Sequence, residues 1–234
     1  MRAFYGGGET GAREAARRGS AVVVVDVYRA STTVAVLIEK GARVVPVASI
    51  EAAASFPGAD YRVGERGSAK VKGFDFGNSP TEIRDASIVP GSTVALSTTN
   101  GTRVVEAAAG AAQVFMGAIV NARAVAAALI RDGGPVTVVG CGWEGRRSSE
   151  DESGAGAILA RLEELGARLD GRAESVVRGY RRRTEAALRR NSAARRLKRL
   201  GYEHDLDLCL APEAVPVVPR LVGDAFVGDA PAGT

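Results

Sequence analysis

Polar clusters follow three apolar, strand-like runs of this sequence, and the first cluster is built around Asp26. The run Ala21–Asp26 ends in that carboxylate, which would lie at the rim of a sheet and would suit Mg²⁺ there. The hydroxyl residues that can cap the following helix, whose exposed N–H groups favour an anion, are Ser31, Thr32 and Thr33. The alternative is an ordinary capped turn in which Asp26 pairs with Arg29.

The second cluster, Ser97–Arg103, lies between an apolar strand-like run and an Ala-rich helical one. It holds four hydroxyls, an amide, a glycine and an arginine within seven residues. Gly101 would let the backbone approach a ligand closely, and Arg103 can bind an oxyanion with two parallel hydrogen bonds. The segment lacks the lysine and glycine spacing of a Walker loop. A helix cap needs only one such residue, so we interpret this segment as an anion-binding loop.

The third cluster, Gly140–Asp151, ends in two adjacent carboxylates at the start of a helical pattern. Glu150 and Asp151 can act as partners of the helix dipole or as metal ligands. A fourth segment, residues 64–80, reads as a long glycine-rich loop with Glu65 near its start. Long loops that carry Asp, Asn and Glu are frequently binding loops.

The elements that position these clusters alternate between strand-like and helical patterns, which predicts βαβ units and a mostly parallel sheet. The predicted strands are Ala21–Asp26, Arg43–Val47, Asp60–Val63, Thr93–Leu96, Gln113–Met116 and Pro135–Gly140. The predicted helices are Ser31–Lys40, Thr102–Ala109, Ala122–Arg131 and Asp151–Leu165. We therefore expect a three-layer α/β/α fold in which Ala21–Asp26, Thr93–Leu96 and Pro135–Gly140 are neighbours, so that their loops converge.

The pattern changes after residue 170, which divides the chain into an α/β core (1–170) and a basic helical extension (171–234) that we expect to pack on the core as one structural unit. Helices are predicted at Arg172–Arg190 and Ser192–Leu200, followed by a strand-like tail at Val215–Val218. From residue 168 to 199, twelve Arg and Lys accompany three acidic residues. This basic block is interpreted as a solvated helical face packed on the core; the alternatives are steering of an anionic substrate and nucleic-acid binding. Nucleic acid is disfavoured because Tyr180 is the sole aromatic residue in the block.

Composition narrows the chemistry further. With one histidine, His204, the chain of 234 residues has no site made of several imidazoles, so Mg²⁺ on oxygen ligands is a more natural cofactor than Zn²⁺. Cys141 and Cys209 form neither metal-ligand spacing nor a disulfide framework. We expect a cytoplasmic protein with no membrane segment.

Six segments, in this order, resemble the 2-phosphosulfolactate phosphatase family, from Val22 to about Pro219. They are Asp26–Thr33, Gly64-Glu65, Gly73–Pro80, Ser97–Arg103, Glu150–Gly156 and Ser192–Gly201. The resemblance implies a Mg²⁺-dependent enzyme that hydrolyses (2R)-2-phospho-3-sulfolactate to 3-sulfolactate and phosphate, a step of coenzyme M biosynthesis. It also implies an α/β fold of the family's own kind.

The residues assigned to this chemistry fall into three groups. Metal ligands are expected among Asp26, Glu150 and Asp151, with Asp75 and Glu65 in reserve; catalytic residues are Asp26, Glu65 and Arg103. Candidate substrate-binding residues are Arg29, Ser31, Thr32, Thr33, Asn78, Ser97, Thr98, Thr99, Asn100, Gly101 and Thr102. The general base is Asp26 or Glu65, unless Asp26 is a phosphorylated nucleophile.

Other mechanisms and functions stay open at this point. Cys141 begins a Cys-x5-Arg-Ser spacing typical of thiolate phosphatases, although Glu144 would repel a phosphate dianion there. The substrate is a small polyanion, and another phosphorylated hydroxy acid is an alternative. A non-catalytic anion- or RNA-binding protein is a further alternative, and a homodimer is possible.

Overall fold

The computed structural model describes residues 1–143 and 145–229. The strands in this part of the chain are β1 (Arg2–Gly7), β2 (Ala21–Val25), β3 (Arg43–Pro46), β4 (Tyr61–Arg66), β5 (Ala69–Lys70), β6 (Thr93–Ser97), β7 (Gln113–Met116), β8 (Val136–Gly140), β9 (Arg168–Leu169), β10 (Pro219–Val222) and β11 (Ala225–Gly228). The helices are α1 (Gly8–Arg17), α2 (Ala30–Glu39), α3 (Ile50–Ala54), α4 (Pro80–Asp85), α5 (Gly101–Ala107), α6 (Ala122–Asp132), α7 (Ser149–Glu164), α8 (Gly171–Arg182), α9 (Glu185–Leu188), α10 (Ser192–Arg199) and α11 (Glu203–Cys209), with a 3-10 turn at Ile119–Asn121.

All of these strands belong to one mixed sheet in the order β5-β4-β6-β3-β11-β10-β7-β2-β8-β1-β9. The strands are parallel within two groups, β7-β2-β8-β1-β9 and β4-β6-β3. The antiparallel hairpin β10–β11 lies between the groups. Helices α1 and α5 pack together against one side of β2, whereas α7 and α8 cover the other side of the same group. The expected three-layer α/β/α fold is confirmed.

The core is centred on β2 and β8, and both strands are buried along their whole length. Such a pattern follows from their uninterrupted β-branched runs, since each fully buried valine contributes about 1.5–3 kcal/mol relative to exposure. Helix α2 is also buried at every position from Ala30 to Ile38, and it packs on strands β7, β10, β11 and β3. It therefore spans the junction between the two parallel groups.

The expected adjacency of three central strands is right for β2 and β8 and wrong for β6. Four strands separate β6 from β2: β3, the two strands of the C-terminal hairpin, and β7. The hairpin makes one residue pair with each flanking strand, Arg220 with Phe115 and Phe226 with Val44, so the ladder is nearly interrupted on both sides. The loop after β6 nevertheless reaches the end of β2, where Gly101 lies against Ala30.

Several predicted elements differ from the structure. The segment Arg172–Arg190 forms two helices rather than one, because the chain leaves the helical conformation at Arg183 and the Thr184 hydroxyl caps α9. Residues 215–218 are not a strand; the strand begins at Pro219, where the chain enters the sheet. Strand β1 and helix α1 were not predicted at all.

The C-terminal part contributes a hairpin to the sheet as well as helices that pack on the core. Its hairpin lies inside the sheet, and α8 packs on α7 and β1. Residues 230–234 of the predicted extension lie outside the described residues. Among the described helices, none combines the length and the apolar character needed to cross a bilayer.

Close packing of α7 on β2 leads to a testable prediction. A Cβ on Gly154 would lie 2.5 Å from Val27 Cγ2 and 2.9 Å from Val25 Cγ1, so Gly154→Ala forces the helix away from the sheet. We expect a loss of about 1–3 kcal/mol in the free energy of unfolding, measured by chemical denaturation. A Cβ on Gly179, in the middle of α8, would meet no neighbouring atom within 4 Å among the described residues. Gly179→Ala should therefore raise stability slightly, and equal losses in both variants would contradict this packing argument.

Candidate active site

Asp26 lies at the end of β2 and is 8% exposed. Its backbone N–H donates to Ser31 Oγ at 2.9 Å, and the Ser31 hydroxyl donates to the carbonyl of Val24 at 3.1 Å. The backbone amide of Ala30 acts on the pKa of Asp26 in the opposite direction to burial and favours the ionised carboxylate. A Cβ on Gly101 would lie 3.5 Å from Asp26 Oδ2, so the start of α5 approaches the carboxylate closely.

Asp151 joins the loop after β2 to the loop after β8. Its Oδ1 accepts from the Val27 N–H at 2.9 Å, and its Oδ2 accepts from the Gly142 N–H at 2.8 Å. The Ser148 hydroxyl caps α7 by accepting from the Asp151 N–H at 3.3 Å. Both oxygens of this buried carboxylate are therefore already engaged by backbone donors.

Glu150 is buried beside Asp151 and is hydrogen-bonded to the start of the C-terminal helix α10. Its Oε2 accepts from Asn191 Nδ2 at 2.7 Å and from the Ser149 hydroxyl at 3.3 Å. Asn191 is also the N-cap of α10, because its Oδ1 accepts from the Ala194 N–H. The start of the basic helix α10 is thus fixed to this carboxylate.

Glu65, the fourth carboxylate, is buried on β4 and accepts three hydrogen bonds. Its Oε1 accepts from the N–H and the hydroxyl of Thr99, both at 2.7 Å, and its Oε2 accepts from the Ser68 N–H at 2.7 Å. The loop after β6 is therefore anchored on β4. All three donors are neutral, so they orient Glu65 without balancing its charge.

Burial and neighbouring negative charge make Asp26 and Asp151 costly to ionise. Burial, followed by the charges of Glu65 and Glu150, raises the pKa of Asp26 to about 7. Burial and the charges of Asp26 and Glu150 raise the pKa of Asp151, and burial raises that of Glu150. This part of the molecule therefore carries negative charge that its own surroundings do not fully compensate.

The donor chemistry of this cluster fits Mg²⁺. Among the described residues, no three carboxylates are close enough together to enclose an ion by themselves. Mg²⁺ does not require this, because it is usually held by one or two carboxylates and keeps several waters or phosphate oxygens. Asp26 and Glu150 would hold it, whereas both oxygens of Asp151 already accept backbone hydrogen bonds.

Asp75, one of the two reserve ligands, is not brought to the cluster. Its side chain is exposed, and its Oδ2 accepts from the Arg62 N–H at 2.7 Å. Asn78, from the same loop, is buried, and its Oδ1 has no hydrogen-bond partner among the described residues.

The two predicted anion-binding arginines are placed very differently. Arg29 is buried and pairs with Asp205 of α11 at 2.7 Å, donates to the Ser68 carbonyl at 2.6 Å and stacks 4.3 Å from the ring centroid of Tyr202. It neither pairs with Asp26 nor faces an open cleft. Arg103 is 66% exposed and pairs with Glu9 at 2.9 Å.

The hydroxyls that we expected to cap α2 do not cap it, whereas in the second junction Thr98 Oγ1 accepts from the Thr102 N–H at 3.4 Å, in the first turn of α5. Helix α2 begins at Ala30, which places the predicted caps inside it, and the Thr32 hydroxyl donates to the Val27 carbonyl. The Thr102 hydroxyl likewise donates to the Thr98 carbonyl at 2.9 Å. Ser97 Oγ accepts from Arg66, Asn100 precedes α5 without a side-chain cap, and Thr33 Oγ1 has no partner among the described residues.

A cleft of about 660 Å³ adjoins the cluster, and Asp151 and Asn100 form part of its wall. Four arginines line it: Arg13, Arg103, Arg146 and Arg147. Arg13 comes from α1, which the sequence analysis missed; the spacing Gly6-x-Gly8-x-x-Gly11 after β1 was the available signal. Gly11 is needed there, because a Cβ would lie 2.8 Å from the Gly6 backbone.

Cys141 borders the same cleft and is buried. Burial, with the charges of Asp26 and Asp151, raises the pKa of its thiol well above the ordinary value. A thiolate nucleophile is therefore disfavoured at this position. Glu144, which we expected to repel a phosphate dianion in this loop, lies outside the described residues.

Comparison with known proteins places the chain among the phosphoric monoester hydrolases. A model of the 2-phosphosulpholactate phosphatase family matches residues 10–224. The chain belongs to this family.

Individual relatives resemble the chain over most of both lengths. One from Parasynechococcus marenigrum is 38% identical over 213 residues, covering 85% of this chain and 88% of the relative. One from Carboxydothermus hydrogenoformans is 38% identical over 208 residues, covering 86% and 85%, and one from Thermotoga maritima is 36% identical over 211 residues, covering 88% and 90%. Each is named a probable 2-phosphosulfolactate phosphatase.

The raised pKa of Asp26 predicts how stability depends on pH. Because its pKa rises from 3.8 to about 7 on folding, ionisation of Asp26 opposes folding, and stability of the metal-free protein falls as pH rises through this window. Asp26→Asn keeps the shape of the side chain and removes the charge. In EDTA, this variant should raise Tm by several degrees at pH 8 and change it little at pH 4.

Asp75→Asn is the matched control for this measurement, since it removes an exposed carboxylate outside the cluster. Its Tm difference from the parent protein should be small at both pH values. A lower Tm of Asp26→Asn at pH 8 would contradict the argument that uncompensated charge destabilises the cluster.

Proposed function

We propose that this protein is a Mg²⁺-dependent phosphatase that hydrolyses (2R)-2-phospho-3-sulfolactate to 3-sulfolactate and phosphate, in coenzyme M biosynthesis in the cytoplasm. The observation that carries the proposal is the group of four buried carboxylates, Asp26, Glu65, Glu150 and Asp151, beside an arginine-lined cleft. Family membership supports the reaction class.

A phosphate monoester resists attack because its oxygens are negatively charged. A bound Mg²⁺ would neutralise part of this charge. Asp26 and Glu150 would hold the ion, and Asp151 would keep the loops after β2 and β8 in register through Val27 and Gly142.

Glu65 is the proposed general base for direct attack by water. A carboxylate offers about four lone-pair positions, and Glu65 uses three of them on Thr99 and Ser68. These bonds fix the side chain, so the remaining position can accept a proton from a water without further ordering of the carboxylate. Burial is the largest cause of the raised pKa of Asp26, and the charge of Glu65 is the next largest. This effect supports a position of Glu65 close to Asp26.

The arginine-lined cleft supports a substrate with more than one acidic group. Arg13, Arg146, Arg147 and Arg103 would bind the sulfonate and carboxylate, while the phosphoryl group lies at the carboxylates. Arg103 would have to leave Glu9 for this, and such an exposed pair contributes only about 0–1 kcal/mol.

The basic C-terminal helices support a small-molecule site better than a nucleic-acid surface. Many of their cations pair with carboxylates of the same chain, among them Arg181 with Glu163 at 3.0 Å and Arg189 with Asp207 at 2.7 Å. Much of their charge is consequently used in ion pairs within the protein rather than presented as a continuous positive stripe to a nucleic acid.

Phosphate release from a panel of phosphorylated hydroxy acids tests the proposal, with Mg²⁺ and with EDTA. We expect turnover of 2-phospho-3-sulfolactate that requires Mg²⁺ and is abolished in Asp26→Asn. Asp75→Asn should retain activity, and so should Cys141→Ser, because neither residue takes part in the proposed chemistry. Hydrolysis that is unaffected by EDTA would contradict the metal assignment, and a loss of about 10³-fold in Cys141→Ser would favour the thiolate mechanism.

Arg103→Ala tests the cleft. Since Arg103 is exposed and a first-turn arginine opposes the helix dipole, its loss should leave Tm unchanged or slightly raised. We expect kcat/KM to fall by about 10²-fold, with partial recovery in Arg103→Lys, whose ammonium cannot make the two-pronged contact. A fully active Arg103→Ala with reduced stability would instead make the pair with Glu9 structural.

A further inference from the structure

The basic helix α10 brings one arginine, Arg196, to the carboxylate cluster. Its guanidinium carbon lies 3.7 Å from the ring centroid of Trp143, in the loop after β8. Its Nε donates to Ser68 Oγ at 2.9 Å. The side chain is therefore fixed by a stacking contact on one face and by a hydrogen bond at its inner nitrogen.

Ser68 connects Arg196 to the proposed base. The backbone N–H of this buried serine donates to Glu65 Oε2 at 2.7 Å, and its carbonyl accepts from Arg29 at 2.6 Å. Its hydroxyl accepts from Arg196. One residue thus places the Arg196 guanidinium within two hydrogen bonds of the Glu65 carboxylate.

The other end of α10 is fixed to Glu150. Asn191, the N-cap of the helix, donates to Glu150 Oε2 at 2.7 Å. Burial raises the pKa of Glu150, and the positive charge of Arg196 acts in the opposite direction. Arg196 therefore lies close to the cluster on the side between Glu65 and Glu150.

We propose that Arg196, stacked on Trp143, binds the phosphoryl oxygens of the substrate and the released phosphate at the carboxylate cluster. Within the described part of the chain, its terminal amino groups donate no hydrogen bond to a protein acceptor. A planar guanidinium held at Nε presents these two groups as a fork, which matches two oxygens of a phosphate. This assignment rests on the proposed function, because it names the group that holds the reacting anion.

The proposal also accounts for a problem of charge. A phosphate dianion approaching four carboxylates is repelled by them, and Arg29 is already paired with Asp205. Arg196 supplies a cation beside the cluster, and among the described residues its guanidinium forms no ion pair with a carboxylate. Arg196 is therefore the one residue of the basic block to which we assign phosphate binding.

Trp143 makes the proposal directly measurable, because it is the sole tryptophan of the chain. Binding of inorganic phosphate to a guanidinium stacked on the indole should change its fluorescence. We expect a saturable change in the parent protein, measured with Mg²⁺ and with EDTA. Phosphate affinity should fall about 10- to 100-fold in Arg196→Met, which keeps the stem on the ring, and less in Arg196→Lys.

Arg199→Ala is the matched control, since Arg199 is an exposed arginine of the same helix. It removes the same charge from α10 and should leave phosphate affinity unchanged. Calorimetric titration with phosphate repeats the comparison independently of the fluorescence signal. Equal phosphate affinity in the parent protein and in Arg196→Met, or no binding to the parent protein by calorimetry, would overturn the proposal.

A purely structural Arg196 would behave differently from an anion-binding one. If the role of Arg196 were only structural, Arg196→Met would lower Tm and the phosphate affinity of the folded protein would stay intact. The binding measurement also separates this proposal from the proposed function, because it requires no turnover. If phosphate binding depends on Arg196 but 2-phospho-3-sulfolactate is not hydrolysed, the proposed substrate alone is refuted. If 2-phospho-3-sulfolactate is hydrolysed but phosphate binding does not depend on Arg196, the proposed role of Arg196 alone is refuted.

Discussion

Repulsion among buried carboxylates is the constraint around which this molecule is organised. Asp26, Glu65, Glu150 and Asp151 are all withdrawn from water, where an isolated carboxylate is costly. The protein holds them mainly with neutral donors: backbone N–H groups, hydroxyls and the amide of Asn191. These donors fix the geometry and leave negative charge, which the proposed Mg²⁺ would offset before an anionic substrate binds.

Parts of the chain that are distant in sequence supply the donors and the counter-charges. Asp205 accepts from Arg29, from the hydroxyls of Ser79 and Thr81 and from the Thr81 N–H, so α11 fastens α4 to the loop after β2. Breaking a buried pair of this kind by removing one partner typically costs about 3–5 kcal/mol. The C-terminal segment is therefore part of the site's framework, and its hairpin is part of the sheet.

The fold explains why the loop after β6 reaches Asp26 although β6 is not a neighbour of β2. The hairpin β10–β11 separates the two parallel groups, and α2 packs across the junction. The start of α2 follows Asp26, and Gly101 packs against Ala30 at that start. Convergence therefore depends on a buried helix rather than on adjacent strands.

Local sequence determined the central strands, most helices and the carboxylates of the cluster. Continuous β-branched runs have one stable environment, a strand buried on both faces, and acidic residues directly after such runs lie at the rim of the sheet. Tertiary structure alone decided which polar residues meet. Arg29 and Asp205 are 176 positions apart, and no local pattern specifies their pairing. The same holds for the stacking of Arg196 on Trp143 and for the position of Asp75 outside the carboxylate cluster. Long-range packing selects these partners, and short-range periodicity does not encode it.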